Sequence, residues 1–318
     1  MTELLFTTKD VAQMLQVDKS SIKRWTDEGK LKCFRTPGGH RKFRAEDLYQ
    51  FMSDYNYSIS PADFYPKFAS DEAVIRRMIA QKEFNVLDEV CFSAAIKGNK
   101  DEVLKLFSET HKNGMSLPLI FDKILRPTLK KIEDLHTSGK LMAAERQLAF
   151  NSLSNAAVLM SDIIVKPALI GQKAICATIE HDTADIELKA LAVLLESHGI
   201  EVLNLGTSVP VDSVAELVKG KQPHFVFLLA SVITDVSQVI EEHKKIRSEL
   251  GLYGGRLIIG GGGYTPQLLV TELSGLYDKY CSSFKEFTMV VHARVDAGAK
   301  HDEGGKDMTG RGASKENS

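Results

Sequence analysis

A short glycine-centred reversal, RTPGGHRKF at residues 35–43, constrains most strongly how the start of this chain can fold. Its two adjacent glycines permit a tight turn between two short extended pieces, as in a β-hairpin. Two amphipathic segments precede it, at residues 7–15 and 17–31, and a third helical pattern follows at residues 44–52. The order helix, turn, helix, hairpin, helix predicts a winged helix-turn-helix.

The ends of these helices carry recognisable signals. Thr7 or Thr8 is expected to cap the first helix and Asp18 the second, and Gly29 is expected to end the second. The apolar residues at helix-like intervals predict one buried face: Val11, Leu15, Val17, Ile22 and Trp25. For Trp25 we favour a place in this core, and a base-stacking role is the alternative.

Basic residues are concentrated in the same segment. From Lys19 to Arg44 there are nine Lys or Arg and two acids, an excess of seven in a chain whose formal net charge is −2. Each phosphate that a protein neutralises releases a counterion, so this concentration favours nucleic-acid binding over a merely solvated charged surface.

The candidate DNA-binding residues fall into two groups. Those on the second helix are Lys19, Ser20, Ser21, Lys23 and Arg24; those on the hairpin are Arg35, His40, Arg41 and Lys42. Lys and Arg on a helix in the major groove can donate to guanine O6 and N7. The hairpin cations suit backbone phosphates or a minor groove.

The segments TTKDVAQML, SSIKRWTDEGKL and RTPGGHRKFRAEDL, at residues 7–15, 20–31 and 35–48, resemble the MerR-type and excisionase-type DNA-binding domains. The resemblance implies binding of double-stranded DNA through the second helix and the wing. It also implies a homo-oligomer, a dimer or higher, because such domains usually bind inverted or direct repeats as dimers. It supplies no catalytic residue.

Length and composition bound the rest of the chain. A chain of 318 residues with 43% hydrophobic residues predicts two or three domains with ample cores. The four cysteines are scattered without a CxxC pair, which favours reduced thiols over a disulfide scaffold or a zinc site, so we expect no metal. No signal segment and no membrane-length apolar run are evident, so we expect a cytoplasmic protein without a membrane partner.

The fold class that follows is multi-domain: an α+β winged helix-turn-helix, an α-helical bundle, and an α/β doubly wound parallel sheet of Rossmann-like type. The expected divisions are the winged domain at 1–55, a linker at 56–70, the bundle at 71–170, the sheet domain at 171–294 and a disordered tail at 295–318.

Within the bundle, helices are expected at 71–82, 84–97, 100–113, 116–137 and 141–165. Pro127 is expected to kink the fourth of them. The expected core is Leu104, Phe107, Ile120, Ile124, Leu148, Leu153 and Leu159. Strands of the sheet are expected at 173–179, 201–205, 225–230, 256–263 and 277–282, separated by helices at 186–199, 211–220 and 236–250.

Residues 98–132 and 177–210 resemble the cobalamin-binding photoreceptor repressors that control carotenoid genes. The same pairing of bundle and sheet occurs in methionine synthase and in corrinoid methyl carriers. The resemblance implies a corrinoid enclosed by bundle and sheet. It also implies that the loops ASVIT (230–234) and GGGG (260–263) contact the cofactor's tail.

The residues at the cobalamin positions nevertheless depart from the family. The family reads Asp-x-His-x-x-Gly after the first strand, where this chain has Asp182, Ala184 and Glu187. An imidazole coordinates cobalt and a methyl group cannot, and Glu187 adds bulk where the family has a bare backbone. His181 is a candidate replacement ligand, and a surface or capping histidine is the alternative.

The upper cobalamin face is altered as well. The family has a Trp followed by a Glu-His pair, and this chain has Leu135, Glu145 and Arg146. These changes together predict no cofactor, with cobalamin possible but disfavoured. We expect Arg146 to pair with Asp182 or Glu187, and solvent exposure is the alternative.

Three functions follow. The first is a transcription regulator whose C-terminal half oligomerises or senses an unknown effector other than cobalamin. The second is a cobalamin-dependent, and light-sensing, regulator with an altered ligand set. The third is a corrinoid carrier, which the winged domain and the missing His disfavour. The GGGG run is not a GxGxxG fingerprint, and no Ser-His-Asp or HExxH spacing is present, so we expect no enzyme.

Overall fold

The structure, a computed structural model, describes residues 5–55, 76, 78–182 and 185–292. The chain divides into two compact units. The first holds the described residues up to 172 and those of 185–206, and the second holds 173–182 and 207–292. Within these ranges, no helix combines the length and the apolar character needed to cross a lipid bilayer.

The N-terminal domain is a winged helix-turn-helix, as predicted. Its helices are α1 (Thr8–Met14), α2 (Lys19–Asp27) and α3 (Ala45–Asp54). Its strands are β1 (Leu5–Thr7), β2 (Phe34–Arg35) and β3 (Arg41–Arg44). They form an antiparallel sheet in the order β1-β3-β2, in which β2 and β3 are the wing.

Local hydrogen bonds explain these boundaries. Thr7, not Thr8, caps α1: its Oγ1 accepts from the Asp10 N–H at 3.2 Å, while the Asp10 carboxylate accepts from the Thr7 N–H at 2.8 Å. Gly29 follows α2 with φ +71°, a left-handed conformation that glycine adopts without a Cβ clash. The half-buried Trp25 packs on the buried Phe51 with ring centroids 5.1 Å apart, so its ring lies at the edge of the core.

The helical bundle follows. Its helices are α4 (Phe84–Ile96), α5 (Lys100–Lys112), α6 (Leu117–Ile120), α7 (Arg126–Thr137) and α8 (Ala143–Ile163). A π-helical turn, Phe121–Leu125, joins α6 to α7 directly before Pro127. Proline lacks an N–H and disturbs the ladder of the preceding turn, so the break predicted at this point takes the form of a π-helical turn.

The third part is a five-stranded sheet in the order β5-β4-β6-β7-β8. Its strands are β4 (Lys173–Thr178), β5 (Glu201–Gly206), β6 (Phe225–Leu229), β7 (Arg256–Gly260) and β8 (Lys279–Cys281). Its helices are α9 (Ile186–Glu196), α10 (Val211–Lys221), α11 (Val236–Gly251), α12 (Pro266–Thr271) and a last helix, α13, at 284–292. The strands β4, β6, β7 and β8 pair in parallel, and every residue of β6 is buried.

Most predicted elements are present, with boundaries that differ by a few residues. The prediction for Leu148 is wrong: this residue is 46% exposed and covers Gly98, where an added Cβ would lie 2.8 Å from its Cδ1. The sequence patterns also missed α12 and α13. The predicted linker, the first part of the predicted helix at 71–82 and the predicted tail lie outside the described residues, and the domain boundaries stay predictions.

Candidate functional site

The candidate contacts on α2 lie on the surface of the winged domain. Lys19, Ser20, Lys23 and Arg24 are exposed, and Ser21 is half-buried. Ile22 is fully buried on the opposite side and fixes this orientation. The helix therefore directs a row of donors away from the core, which is what a helix needs in order to reach base edges or phosphates.

The wing presents a second set of cations. Its turn closes through the Gly39 N–H, which donates to the Thr36 carbonyl at 2.8 Å, and Gly39 has φ +77°. Arg35 and His40 are exposed beside this turn, whereas Arg41 and Lys42 are half-buried on β3. The predicted wing residues thus divide into an exposed pair and a half-buried pair.

Arg35 and Arg41 face each other across the β2-β3 register, and both approach one acid of α2. Nη2 of Arg41 lies 2.5 Å from Oδ1 of Asp27, and Nη2 of Arg35 lies 4.0 Å from the same oxygen. Asp27 is the last residue of α2, so this cluster joins the wing to the end of that helix.

In the second unit, the first loop of the sheet domain is fixed by a buried acid. Asp182, which is 6% exposed, accepts hydrogen bonds from the backbone N–H and from the hydroxyl of Ser231, and from the Val232 N–H at 3.4 Å. Ser231 and Val232 themselves are exposed, in the loop that follows β6. The loops at the carboxyl ends of β4 and β6 are therefore joined, as expected for a ligand-binding edge of a doubly wound sheet.

The glycine loop after β7 lies beside them. An added Cβ at Gly261 would lie 2.2 Å from the Ala230 carbonyl oxygen, and one at Gly263 would lie 3.1 Å from the same oxygen. At Gly262 the nearest atom to an added Cβ is the Ser231 carbonyl oxygen, 3.8 Å away. Gly261 and Gly263 thus serve internal packing, while Gly262 leaves its backbone open to a ligand.

Two buried ionisable residues on α11 lie behind these loops. Glu242 is 2% exposed and accepts from the Glu180 N–H at 3.3 Å, and burial raises the pKa of Glu242 to about 7. Burial lowers the pKa of His243 to about 4, and its Nε2 lies 3.2 Å from the Tyr264 hydroxyl. Neither group is evident from the sequence, because VIEEHKKI at residues 239–246 has the pattern of the charged side of an amphipathic helix.

The altered upper-face positions have local partners in the bundle. Arg146 donates from Nε to a Glu133 carboxylate oxygen at 2.9 Å, and its guanidinium lies 4.3 Å from the Phe150 ring centroid. Glu145 accepts from the Met142 N–H at 2.8 Å and so caps α8. Leu135 is half-buried near the end of α7.

The expectation that Arg146 pairs with Asp182 or Glu187 is wrong. The carboxylate of Glu187 instead accepts from Nε of Arg126, at 2.6 Å. Lys189 donates to the Ser154 hydroxyl at 2.7 Å, so the first turns of α9 are bound to the bundle. Glu133 lies on α7, thirteen residues before Arg146, and reaches it because a short connection joins α7 to α8. Ala184 lies outside the described residues, and His181 is exposed with φ +70°.

Two family models match this chain. A model described as a helix-turn-helix domain matches residues 5–55, and one described as a B12 binding domain matches residues 172–282. The chain therefore combines these two domains, as the sequence resemblances predicted.

Two known proteins are similar to the chain. The transcriptional repressor DcmR of Methylorubrum extorquens is 29% identical over 166 residues, which cover 50% of this chain and 62% of that protein. The chain thus matches less than two thirds of that relative's length. The monomethylamine corrinoid protein of Methanosarcina barkeri shares the fold, with a TM-score of 0.54 at 18% identity over 64% of this chain and 96% of that chain.

The expectation of no cofactor is overturned by the match to the B12 binding domain, which points to cobalamin. That expectation gave decisive weight to Leu135, Arg146, Ala184 and Glu187. A ligand as large as a corrinoid is held by many contacts, and the loss of one coordinating side chain leaves the others in place. The loops around Asp182, Ser231 and Gly262 lie at the carboxyl ends of the strands, where the family resemblance implies contacts with the cofactor's tail.

Proposed function

We propose that this protein is a DNA-binding transcription regulator whose C-terminal region binds a corrinoid. The observation that carries the proposal is the exposed row of cations on α2 and at the tip of the wing, in a chain that also has a B12-binding domain. The similarity to a repressor supports repression as the mode of regulation. In this role the chain is a regulator and not an enzyme.

DNA recognition follows from the orientation of α2. Lys23 and Arg24 are exposed in the middle of this helix and are our candidates for base or phosphate contacts in the major groove. Arg35 and His40 at the wing tip then contact the backbone or the minor groove beside it. A homodimer that presents two such surfaces would read a repeated site.

The loops of the sheet domain fit the tail of a corrinoid. Gly262 lets a ligand approach its backbone, and Ser231 and Val232 form an exposed loop above the buried Asp182. Asp182 holds that loop in place through three hydrogen-bond donors. These residues would bind and orient the ligand, and a bound corrinoid would supply a cobalt centre that can exchange ligands.

At residue 184 this chain differs from the family, which has a cobalt-coordinating His there. The methyl side chain of Ala184 cannot coordinate cobalt, so we propose that residue 184 would not be a cobalt ligand and that binding would depend on the tail loops. Gly262→Ala should then weaken corrinoid binding, because its methyl group enters open space where the ligand approaches. Ala184→Gly should leave the affinity nearly unchanged.

The DNA part is tested by selection of a binding site from random duplexes, followed by titration of Lys23→Ala and Arg24→Ala. Each phosphate contact that is lost should reduce the dependence of log affinity on log salt by about 0.9. Selection of no site, or affinity indifferent to both substitutions and to salt, would refute DNA recognition by α2.

The cofactor part is tested by expression with cobalamin supplied, an absorption spectrum of the purified protein and mass spectrometry of the bound ligand. The expected result is a stoichiometric corrinoid that the Gly262→Ala variant retains poorly. A colourless protein that takes up no corrinoid on titration would refute this part and leave the DNA part standing.

A further inference from the structure

Asp27, the acid at the end of α2, puts a negative charge on the proposed DNA-binding surface. Asp27 lies between the cations proposed to contact DNA, where a negative charge repels phosphate and lowers affinity. Its carboxylate is 62% exposed, so burial does not explain it. The contacts of Asp27 explain its position, because Arg35 and Arg41, which approach its carboxylate, both belong to the wing.

The two wing arginines have unequal contacts with Asp27. Arg41 lies 2.5 Å from it, and the Arg41 side chain is 15% exposed, with a buried Nε for which the described residues provide no hydrogen-bond partner. Arg35 lies 4.0 Å from the same oxygen and is 61% exposed. Arg41 is therefore held in the protein by Asp27, while Arg35 projects beside it.

Only two residue pairs join β2 to β3, so a contact from Asp27 adds to a short wing. It consists of the two-residue strand β2 and the four-residue strand β3, joined by a turn with exposed residues. Recognition by a winged domain requires α2 and the wing to contact the duplex together, so the angle between them decides whether both sets of contacts form.

We infer that Asp27 is a positioning residue for DNA recognition: through Arg41 it fixes the wing to the end of α2 and leaves Arg35 to contact phosphate. The inference rests on the proposed DNA-binding function. It assigns Arg41, a predicted DNA contact, to the joint between wing and helix.

The sign of the effect makes the inference testable. Asp27→Asn removes a negative charge and keeps the shape of the side chain. If Asp27 acts only through its charge, the Asp27→Asn variant should bind every DNA more tightly than the parent does. If Asp27 is a positioning residue, the Asp27→Asn variant should bind non-specific DNA slightly more tightly than the parent. It should bind the selected site more weakly, by about fivefold, as expected for loss of a partly exposed ion pair.

A matched control is the neighbouring acid. Glu28 pairs with Lys30 at 2.7 Å, outside the wing. Glu28→Gln makes the same change in charge one residue away, so it should raise or leave unchanged the affinity for both kinds of DNA. Thermal melting of each variant confirms that the domain stays folded.

The experiment uses the full-length protein, its selected duplex and a scrambled duplex of equal length. We expect Asp27→Asn and Arg41→Gln each to lower specificity and to keep the salt dependence of the parent. The double variant should bind the selected site no more weakly than either single variant. Arg35→Gln should instead reduce the salt slope by about 0.9. Hydroxyl-radical footprints of Asp27→Asn should retain the protection made by α2 and show weaker, but not absent, protection by the wing, because the Arg35 contact still forms in the bound state.

Two results would overturn the inference while the parent still binds its site. One is an Asp27→Asn variant that behaves like Glu28→Gln. The other is an Arg41→Gln variant that reduces the salt slope as Arg35→Gln does. A parent protein that selects no duplex site would overturn the proposed function itself, and a separate readout thus identifies each failure.

Discussion

The Ser231 hydroxyl donates a hydrogen bond to Oδ1 of Asp182 at 2.9 Å, and the backbone N–H of the same serine donates to Oδ2. One buried carboxylate therefore receives both donors of one exposed residue. This arrangement fixes the loop after β6 relative to the loop after β4. It explains why Asp182 is compatible with burial, since a buried carboxylate is tolerated when its oxygens are hydrogen-bonded.

Replacement of the two partners should have unequal effects. Ser231→Ala removes one side-chain donor and keeps the backbone donors, so we expect a loss of about 1 kcal/mol in the free energy of unfolding. Asp182→Ala leaves several donors without an acceptor and should cost more, in the range of about 1–3 kcal/mol. Urea unfolding measures both, and equal losses would contradict the arrangement.

The glycine loop offers a matched pair of substitutions. Gly261→Ala would place a methyl group 2.2 Å from the Ala230 carbonyl oxygen, at a φ of +102°, so we expect strong destabilisation. The methyl group of Gly262→Ala would lie 3.8 Å from its nearest neighbour, the Ser231 carbonyl oxygen, so this variant should melt close to the parent. Melting curves of the two apo variants separate packing from ligand binding, and a destabilised Gly262→Ala would show that this backbone is not open.

Substitutions of Arg126 and Arg146, two ion-paired arginines of the bundle, should also have unequal effects on stability. Arg126 binds Glu187 at 2.6 Å and also lies 3.5 Å from Asp122, whereas Arg146 binds Glu133 at a more exposed site. Arg126→Gln should therefore lower the unfolding free energy by up to about 1 kcal/mol, and Arg146→Gln by less. Hydrogen exchange of α9 should rise only in the first variant. An equal rise in both would contradict a specific link from Arg126 to α9.

The order of the elements was predictable from sequence because capping residues, glycines and apolar periods are local signals. The wing turn and the buried strand β6 show this, since each is specified by its own residues. Side-chain partners were not predictable in the same way. Arg146 was expected to reach Asp182 or Glu187, and only the packing of α7 beside α8 reveals Glu133 as its partner.

Glu242 shows a second limit of the sequence pattern. It lies in a run of charged residues, and its burial depends on how α11 packs on the sheet. The mistaken expectation about the cofactor has a similar origin. It relied on single residues at coordinating positions, whereas the match to the B12 binding domain extends over residues 172–282.

The buried Glu242 predicts a specific dependence of stability on pH. Burial raises its pKa from the ordinary value of 4.5 to about 7, so the folded protein retains a proton that the unfolded chain has already lost. Its stabilising contribution is therefore complete below about pH 4.5 and is lost as the pH rises through 7. The full effect is roughly 3 kcal/mol at most.

His243 titrates in the opposite sense, because its pKa is lowered to about 4 by burial: its contribution is present above pH 6.5 and is lost as the pH falls through 4. The parent and the Glu242→Gln variant both contain His243, so its contribution to stability cancels when the two proteins are compared at each pH. The variant cannot ionise, so it should gain stability relative to the parent between pH 5 and pH 8.

Glu241→Gln is the control, because Glu241 is 73% exposed on the same helix and pairs with Lys244 at 2.8 Å. Its stability should follow that of the parent at every pH. Urea unfolding of the three proteins from pH 4 to pH 9 measures the difference. Parallel curves for Glu242→Gln and the parent would show that Glu242 ionises at its ordinary pH, and that the Glu180 N–H and the Gln238 amide stabilise its charge despite its burial.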